Sequence, residues 1–183
     1  MNREAAWELL NEYTKNPALI KHALAVEAAM RAYARKFGED KETWGTIGLL
    51  HDFDYERYPT RENHPFRGAE ILRAKGVPED WIRTIMSHAD YTGVPRDTRV
   101  AKVLFAVDEL CGFLTACALV RPDKKIATVE VPSVRKKMKA KAFAAQVSRE
   151  DIIAGAEQLS VDLDTHVATV RDAMATVADK LEL

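Results

Sequence analysis

The stretch Leu49–Pro59, LLHDFDYERYP, ends an apolar run with an adjacent histidine and aspartate, His51 and Asp52. Such a pair has two interpretations: an ion pair at an exposed helix end, or half of a metal site. A metal site needs further ligand side chains that face the same point, so the rest of the chain separates the two interpretations.

The composition is that of an ordinary soluble globular protein. The chain has 183 residues, of which 47% are hydrophobic and 30% charged, a length compatible with one domain and a sizeable core. The formal net charge of −1 favours neither a nucleic-acid polymer nor an anionic membrane as a partner.

The cysteines and the apolar segments indicate a reducing compartment. Cys111 and Cys117 are six residues apart on a predicted helix and would face different directions, so we expect no disulfide and a cytoplasmic location. The charged N-terminus has no secretory hydrophobic region. The longest uncharged stretch, residues 110–120, is far shorter than the roughly 20 apolar residues that span a bilayer. It predicts a buried helix and no membrane association.

Hydrophobic periodicity predicts helices along almost the whole chain, and therefore an all-α fold. The segment Ile126–Val131, IATVEV, is the one predicted strand. A basic helix is predicted from about Pro132 to Val147, and a final amphipathic helix covers about residues 162–182. The apolar face of the final helix can pack on its own core or on a second copy, so a homodimer stays open.

Three polar side chains are predicted to face inward from three different helices. His22 shares a helical face with Val26, His88 shares one with Ile85, and Asp108 lies within the most apolar helix. A buried carboxylate is costly unless it is paired or binds a metal. Each histidine alone is more often a core residue bonded to a backbone carbonyl, but together with the His-Asp pair these groups favour a shared metal site.

The candidate metal ligands are histidines and carboxylates, which suit one or two divalent ions. Manganese, nickel, cobalt, zinc, magnesium and iron are not distinguished by these ligand types. The six candidate ligands are His22, His51, Asp52, His64, His88 and Asp108.

The order His, His-Asp, His, His, Asp, with spacings of 29, 13, 24 and 20 residues, resembles the HD-domain superfamily of metal-dependent hydrolases. The stretch HPFRGAEIL at 64–72 is similar to the His-Pro-x-x-Gly-Ala stretch of many HD proteins. The whole chain is also similar to small bacterial and archaeal proteins described as predicted HD-superfamily hydrolases. The resemblance implies an HD-domain helical bundle, with a metal-site core at about 20–110 and additional C-terminal helices at 131–183 packed on it as one domain, 1–183.

The resemblance also implies a role for each candidate ligand. The four ligands of mononuclear members correspond to His22, His51, Asp52 and Asp108. His64 and His88 match the extra histidines of binuclear members, in which Asp52 bridges the two ions, and His51 and Asp52 form the catalytic pair. For His64, an exposed helix start or a contact to substrate phosphate are alternatives. His166 matches nothing in the pattern and is expected at the surface.

Departures from family patterns argue against one activity. Cyclic-di-nucleotide phosphodiesterases of the superfamily have a lysine where this chain has Tyr55, and a His-His pair where it has Ser87 and His88. The loop YTGVP at 91–95 replaces their GYP signature.

We therefore expect a metal-dependent phosphohydrolase that acts on a small phosphoester, such as a nucleotide, through metal-activated water. The expected substrate contacts are Arg61, Arg67, Tyr55 and Tyr91. The basic segment 134–141 is either a further contact or a solvated face. A di-iron oxygenase with the same ligand order and a ligand-binding protein without turnover are the alternatives, although the complete ligand set argues against the second.

Overall fold

The computed structural model describes all 183 residues as a helical bundle without strands, which confirms the predicted all-α class. Two single 3₁₀ turns, Asp90–Thr92 and Ile126–Thr128, interrupt the connections between helices. The ten α-helices are α1 (Arg3–Tyr13), α2 (Pro17–Phe37), α3 (Lys41–Leu50), α4 (Phe66–Ala74), α5 (Glu79–Met86), α6 (Arg99–Leu119), α7 (Val131–Met138), α8 (Arg149–Gln158), α9 (Leu163–Ala175) and α10 (Ala178–Leu181).

Local capping residues set the ends of the helices that carry the candidate ligands. The side chain of Asn16 accepts a hydrogen bond at the start of α2, and that of Asp40 accepts two at the start of α3. Gly38 ends α2 in the left-handed conformation at φ 70°, which glycine adopts without steric cost. Thr98 caps the start of α6 in the same way as Asn16 caps α2.

The two longest helices, α2 and α6, form the centre of the bundle, and α3 packs along α2. Gly48 in α3 permits that approach, because a Cβ there would lie 2.8 Å from Met30 Cγ and 3.2 Å from the Val26 carbonyl oxygen. The close contact brings the end of α3, where His51 lies, next to His22 in the first half of α2.

The C-terminal helices pack on the same centre. Helix α8 lies along α6, and α9 contacts α2, α6 and α8. Helices α6 and α8 meet at Gly155, where a Cβ would lie 2.5 Å from the Ala106 Cα. Only a residue without a side chain fits so close to a neighbouring backbone.

Two predicted elements are wrong. Residues 126–131 do not form a strand, because no second strand lies beside them to pair with. Ile126–Thr128 form a 3₁₀ turn, Val131 begins α7, and Ile126 and Val129 are buried. The predicted basic helix ends at Met138 instead of continuing to Val147. The Arg149 guanidinium donates to the carbonyls of Phe143, Ala144 and Val147, so the chain forms a compact turn there.

The final helix and His166 also differ from expectation. The segment 162–182 is divided into α9 and α10, with Val177 between them outside helical geometry. His166 is fully buried, not exposed: its Nδ1 lies 2.5 Å from the Tyr33 hydroxyl and its Nε2 2.9 Å from the Ala106 carbonyl oxygen. Two polar partners in the interior make the buried position favourable.

Cys111 and Cys117 both lie in α6, buried and without a disulfide. No helix in the bundle combines the length and the apolar character that crossing a membrane requires.

Candidate metal centre

Two of the six candidate ligands lie in helices, three in the connection between α3 and α4, and one just after α5. His22 lies in α2 and Asp108 in α6. His51 and Asp52 directly follow α3, His64 precedes Pro65 at the start of α4, and His88 lies two residues beyond α5. Packing of these helices brings the six side chains into two adjacent groups.

The first group consists of His22, His51 and Asp108, whose ligand atoms all lie within 4.8 Å of one another. Asp108 Oδ1 is 3.0 Å from His22 Nε2 and 3.4 Å from His51 Nε2. The ring centroids of the two histidines are 5.2 Å apart. One carboxylate and two imidazole nitrogens therefore converge on one point.

The second group consists of Asp52, His64 and His88, with the same close spacing of ligand atoms. Asp52 Oδ1 is 3.2 Å from His64 Nε2 and 3.3 Å from His88 Nε2. Asp52 Oδ2 lies 3.5 Å from His51 Nε2, so this carboxylate stands between the two groups.

Backbone carbonyls orient two of the histidines. His51 Nδ1 lies 2.8 Å from the Gly48 carbonyl oxygen, and His88 Nδ1 lies 2.5 Å from that of Ile85. A carbonyl oxygen only accepts, so each Nδ1 carries a proton, and in the neutral ring the lone pair is on Nε2, which faces the carboxylates. This is the tautomer that a metal ligand requires.

Asp54 orients the third histidine and was not predicted from the sequence. Its Oδ1 lies 2.9 Å from His64 Nδ1, and its Oδ2 accepts the Gly68 amide at 2.9 Å. A Cβ at Gly68 would lie 2.7 Å from the Asp54 carboxyl carbon, so the glycine makes room for this carboxylate. The acid two residues after Asp52 and the glycine of the HPFRG stretch were the available signal.

The electrostatics of the two groups follow from their mixture of acids and bases. Burial opposes a charge on His64, but Asp52 and Asp54 outweigh burial and raise its pKa to about 9. Burial likewise opposes a charge on Asp52 and Asp108, yet the adjacent histidines hold both carboxyl pKa values below the ordinary range. Both carboxylates are therefore ionised at neutral pH.

Two buried ligand atoms, His51 Nε2 and Asp52 Oδ1, have no hydrogen bond of regular geometry, and the polar atoms nearest to Asp52 Oδ1 are themselves ligand nitrogens, His64 Nε2 and His88 Nε2. An unsatisfied buried polar atom is costly, and a lone pair on each atom is free to bind a cation. The residues present thus fit a divalent metal by donor type, tautomer and unpaired lone pairs.

A pocket of about 620 Å³ opens above the two groups. Three of the four predicted substrate contacts line it, namely Arg61, Tyr55 and Tyr91. The Tyr91 hydroxyl donates to the His64 carbonyl at 2.9 Å. Arg67 does not line the pocket; it points outward from α4, and its Nη1 pairs with Glu70 Oε2 at 2.8 Å.

Glu109 also lines the pocket and was missed because it lies next to Asp108 in an apolar helix. Its Oε2 accepts the Ser148 amide at 3.0 Å. Burial, together with the charge of Asp108, raises the pKa of Glu109 to about 7. No residue of the basic segment 134–141 lines the pocket.

Comparison with family models gives one match, to the HD domain, over residues 19–112. The matched region is just over half of the chain and contains all six residues of the two groups. Searches of curated proteins and of solved structures found no significant match.

Proposed function

Because this chain belongs to the HD domain family, which suggests metal-dependent hydrolysis, we propose that it is a phosphohydrolase acting on a small phosphoester such as a nucleotide. The observation that carries the proposal is the pairing of two three-residue ligand groups, joined by Asp52, beneath one open pocket. Two adjacent groups of this kind are suited to displacement at phosphorus.

The residues that would hold the metals are those of the two groups. His22, His51 and Asp108 would hold one ion, and His64 and His88 a second, with Asp52 between them. A bound divalent ion polarises a phosphoryl oxygen and lowers the pKa of water, which supplies a nucleophile near neutral pH.

The chain's own residues bind and orient the substrate. Arg61 is the one arginine or lysine in the pocket lining, and its guanidinium would bind a phosphoryl oxygen. The Arg61 guanidinium carbon lies 5.2 Å from the centre of the Tyr91 ring, which supports the side chain. Asp52, ionised and located between the two groups, would orient the attacking water.

The test combines metal analysis with a phosphoester screen. Protein purified without chelators or a metal-binding tag is analysed for metal content and by electron paramagnetic resonance, and is then assayed with phosphomonoesters and phosphodiesters. We expect one or two divalent ions per chain and hydrolysis of a phosphoester. Asp52→Ala should abolish turnover and keep the helical circular dichroism, whereas Asp172→Ala, an exposed acid on α9, should leave turnover unchanged.

Other outcomes contradict the proposal in distinct ways. Two irons per chain with a mixed-valence signal, together with oxygen-dependent turnover, would favour the di-iron oxygenase instead. Protein that binds no metal after reconstitution, or an Asp52→Ala variant as active as the unchanged protein, would contradict both enzyme classes.

A further inference from the structure

The pocket above the two ligand groups has two chemically different ends. Arg61, Tyr55 and Tyr91 lie at the end beside the second group, since the Tyr55 and His64 ring centroids are 5.2 Å apart and the Tyr91 hydroxyl bonds to the His64 carbonyl. The opposite end lies beside Asp108 of the first group and is built by Glu109 of α6 and the segment 146–151.

The cationic end is free to receive a phosphoryl group. Arg61 forms no ion pair with any carboxylate of the chain, whereas Arg67 and Arg96 are paired with Glu70 and Asp90. A guanidinium without a partner, at the edge of the second group, is the natural contact for phosphoryl oxygens.

The opposite end carries two carboxylates that have no cationic partner. Glu109 and Asp151 both line the pocket, and neither forms an ion pair. The Ser148 amide holds the Glu109 carboxylate, and the Ser148 hydroxyl accepts the Asp151 amide at 3.1 Å, so the start of α8 is fixed beside Glu109. Asp90, the other acid in the lining outside the two groups, is instead neutralised by Arg96 at 2.6 Å.

A phosphoryl group bound by Arg61 would place its alcohol toward Glu109 and Asp151, at the other end of the pocket. An anionic leaving group would face two carboxylates there, and like charges brought together discriminate strongly against a ligand. A cationic leaving group would instead form charge-assisted hydrogen bonds with both.

We propose that the site prefers a phosphomonoester whose alcohol carries an ammonium group, with Glu109 and Asp151 as the residues that determine this specificity. The inference rests on the proposed phosphohydrolase function and narrows its substrate class. Hydrolysis forms a phosphorus–oxygen bond from water, breaks the one to the alcohol, and transfers one proton of the water to that alcohol, so no further reactant is needed.

The first experiment compares three small phosphomonoesters that differ in the charge of the leaving alcohol. The metal-reconstituted protein is assayed at pH 8 with phosphoethanolamine, glycerol 1-phosphate and 3-phosphoglycerate, whose alcohols are cationic, neutral and anionic. We expect kcat/KM to fall in that order, by about tenfold at each step. Equal values, or the reverse order, would overturn the inference and leave the proposed function standing.

Variants assign the preference to the two carboxylates. Asp151→Asn and Glu109→Gln keep the size and hydrogen-bonding ability of the side chain and remove the charge. Relative to glycerol 1-phosphate, each should lower kcat/KM for phosphoethanolamine about tenfold and raise kcat/KM for 3-phosphoglycerate. Glu150→Gln is the matched control, because Glu150 is exposed in the same helical turn as Asp151 and does not line the pocket. In this variant kcat/KM for each of the three compounds should stay unchanged.

Two results distinguish failure of the proposed charge preference from failure of the proposed phosphohydrolase function. If neither the three compounds nor any phosphomonoester or phosphodiester of the first screen is hydrolysed, the proposed function fails and the inference fails with it. If hydrolysis occurs but the charge preference survives in both Asp151→Asn and Glu109→Gln, the inference alone is overturned.

Discussion

His51 and Asp52 are neighbours in the chain, yet their side chains serve different ligand groups. His51 Nε2 turns toward Asp108 at 3.4 Å, whereas Asp52 Oδ1 turns toward His64 and His88. The pair directly follows α3, so consecutive side chains diverge there and face the two halves of the site. One dipeptide thus connects both groups, and its removal should affect both.

Asp54 should be as important for the second group as a direct ligand. In Asp54→Asn the charged acceptor for His64 Nδ1 is lost, and removal of such a partner typically lowers metal affinity about 10–100-fold. Calorimetric titration with Mn²⁺ should show this loss at one site only, because the first group does not contact Asp54.

Glu56→Gln is the control for Asp54→Asn. Glu56 lies in the same connection, but its carboxylate accepts the Lys15 and Asn16 amides, away from the histidines. The Mn²⁺ titration of Glu56→Gln should match that of the unchanged protein. Equal weakening of both sites in Asp54→Asn, or none at either, would refute the orienting role of Asp54.

His166 should make folding stability depend on pH. Burial lowers its pKa below the ordinary value, so the unfolded chain binds this proton more readily than the folded one. Its stabilising contribution is therefore complete above about pH 6.5 and is lost as pH falls through the folded-state pKa. His166→Gln does not titrate, so it should be about 1–3 kcal/mol less stable at pH 8, with a smaller difference at pH 5.

Urea unfolding of both proteins between pH 5 and pH 8 measures that difference. The histidines of the ligand groups titrate equally in the two proteins, so their contribution cancels. A difference that is constant, or that grows as the pH falls, would contradict the assignment of His166 as a buried neutral base.

The residues that sequence reasoning found and missed differ in the kind of signal they carry. The six members of the ligand groups stand out because an acid or histidine on an apolar helical face is unexpected. Asp54 and Glu109 do not stand out in this way. Asp54 lies within a polar connection, and Glu109 directly follows another acid. His166 was misplaced because its partners, Tyr33 and the Ala106 carbonyl, are distant in the chain.

At the scale of elements, helices whose ends are set by a local capping residue were predictable from the sequence. Segments whose conformation depends on tertiary contacts were less predictable. Asp40 and Ser148 cap α3 and α8, and both are residue types favoured at helix N-termini. The 3₁₀ turn Ile126–Thr128 within the β-branched run 126–131 instead packs against α6 and α9, and the run buries Ile126 and Val129. A pairing partner, which a strand needs, is not a local property.

Two glycines in the helices that border the pocket should respond oppositely to substitution by alanine. A Cβ at Gly112 in α6 would meet nothing closer than Val147 Cγ2 at 3.9 Å, so Gly112→Ala should stabilise the protein by about 0.5–1 kcal/mol. A Cβ at Gly155 in α8 would lie 2.5 Å from the Ala106 Cα, so Gly155→Ala should destabilise it by about 1–3 kcal/mol.

Denaturant unfolding of the two alanine variants, each compared with the unchanged protein, provides the measurement. The pair is its own control, since both substitutions raise helix propensity equally. If the Gly155→Ala variant were as stable as the Gly112→Ala variant, the close approach of α8 to α6 at Gly155 would be refuted.

At the scale of the whole molecule, the ligand groups and the C-terminal helices share the same two central helices. Helix α6 carries Asp108 and packs against α8, and α2 carries His22 and packs against α9. The HD domain match ends at residue 112, before these C-terminal helices begin. That residues 1–183 form one domain stays a prediction. If it is correct, the HD-matched region and the C-terminal helices unfold in a single transition.

The tryptophans allow this prediction to be tested directly. Trp7, Trp44 and Trp81 all lie in the first half of the chain, so their fluorescence reports that half, whereas far-ultraviolet circular dichroism reports every helix. Coincident urea transitions by the two probes would indicate one cooperative unit, and a circular dichroism transition with a separate phase would refute it.

Metal binding should stabilise the N-terminal half and the C-terminal helices together. Ligand binding to the folded state alone adds about 2.7 kcal/mol at a free concentration 100 times Kd, which for a chain of this size raises Tm by about 5–10 °C. Mn²⁺ should therefore raise the midpoints by fluorescence and by circular dichroism equally, because α2 and α6 transmit the constraint to α8 and α9. A circular dichroism transition of which only one phase shifts with the fluorescence would mean that the C-terminal helices unfold independently of the metal centre.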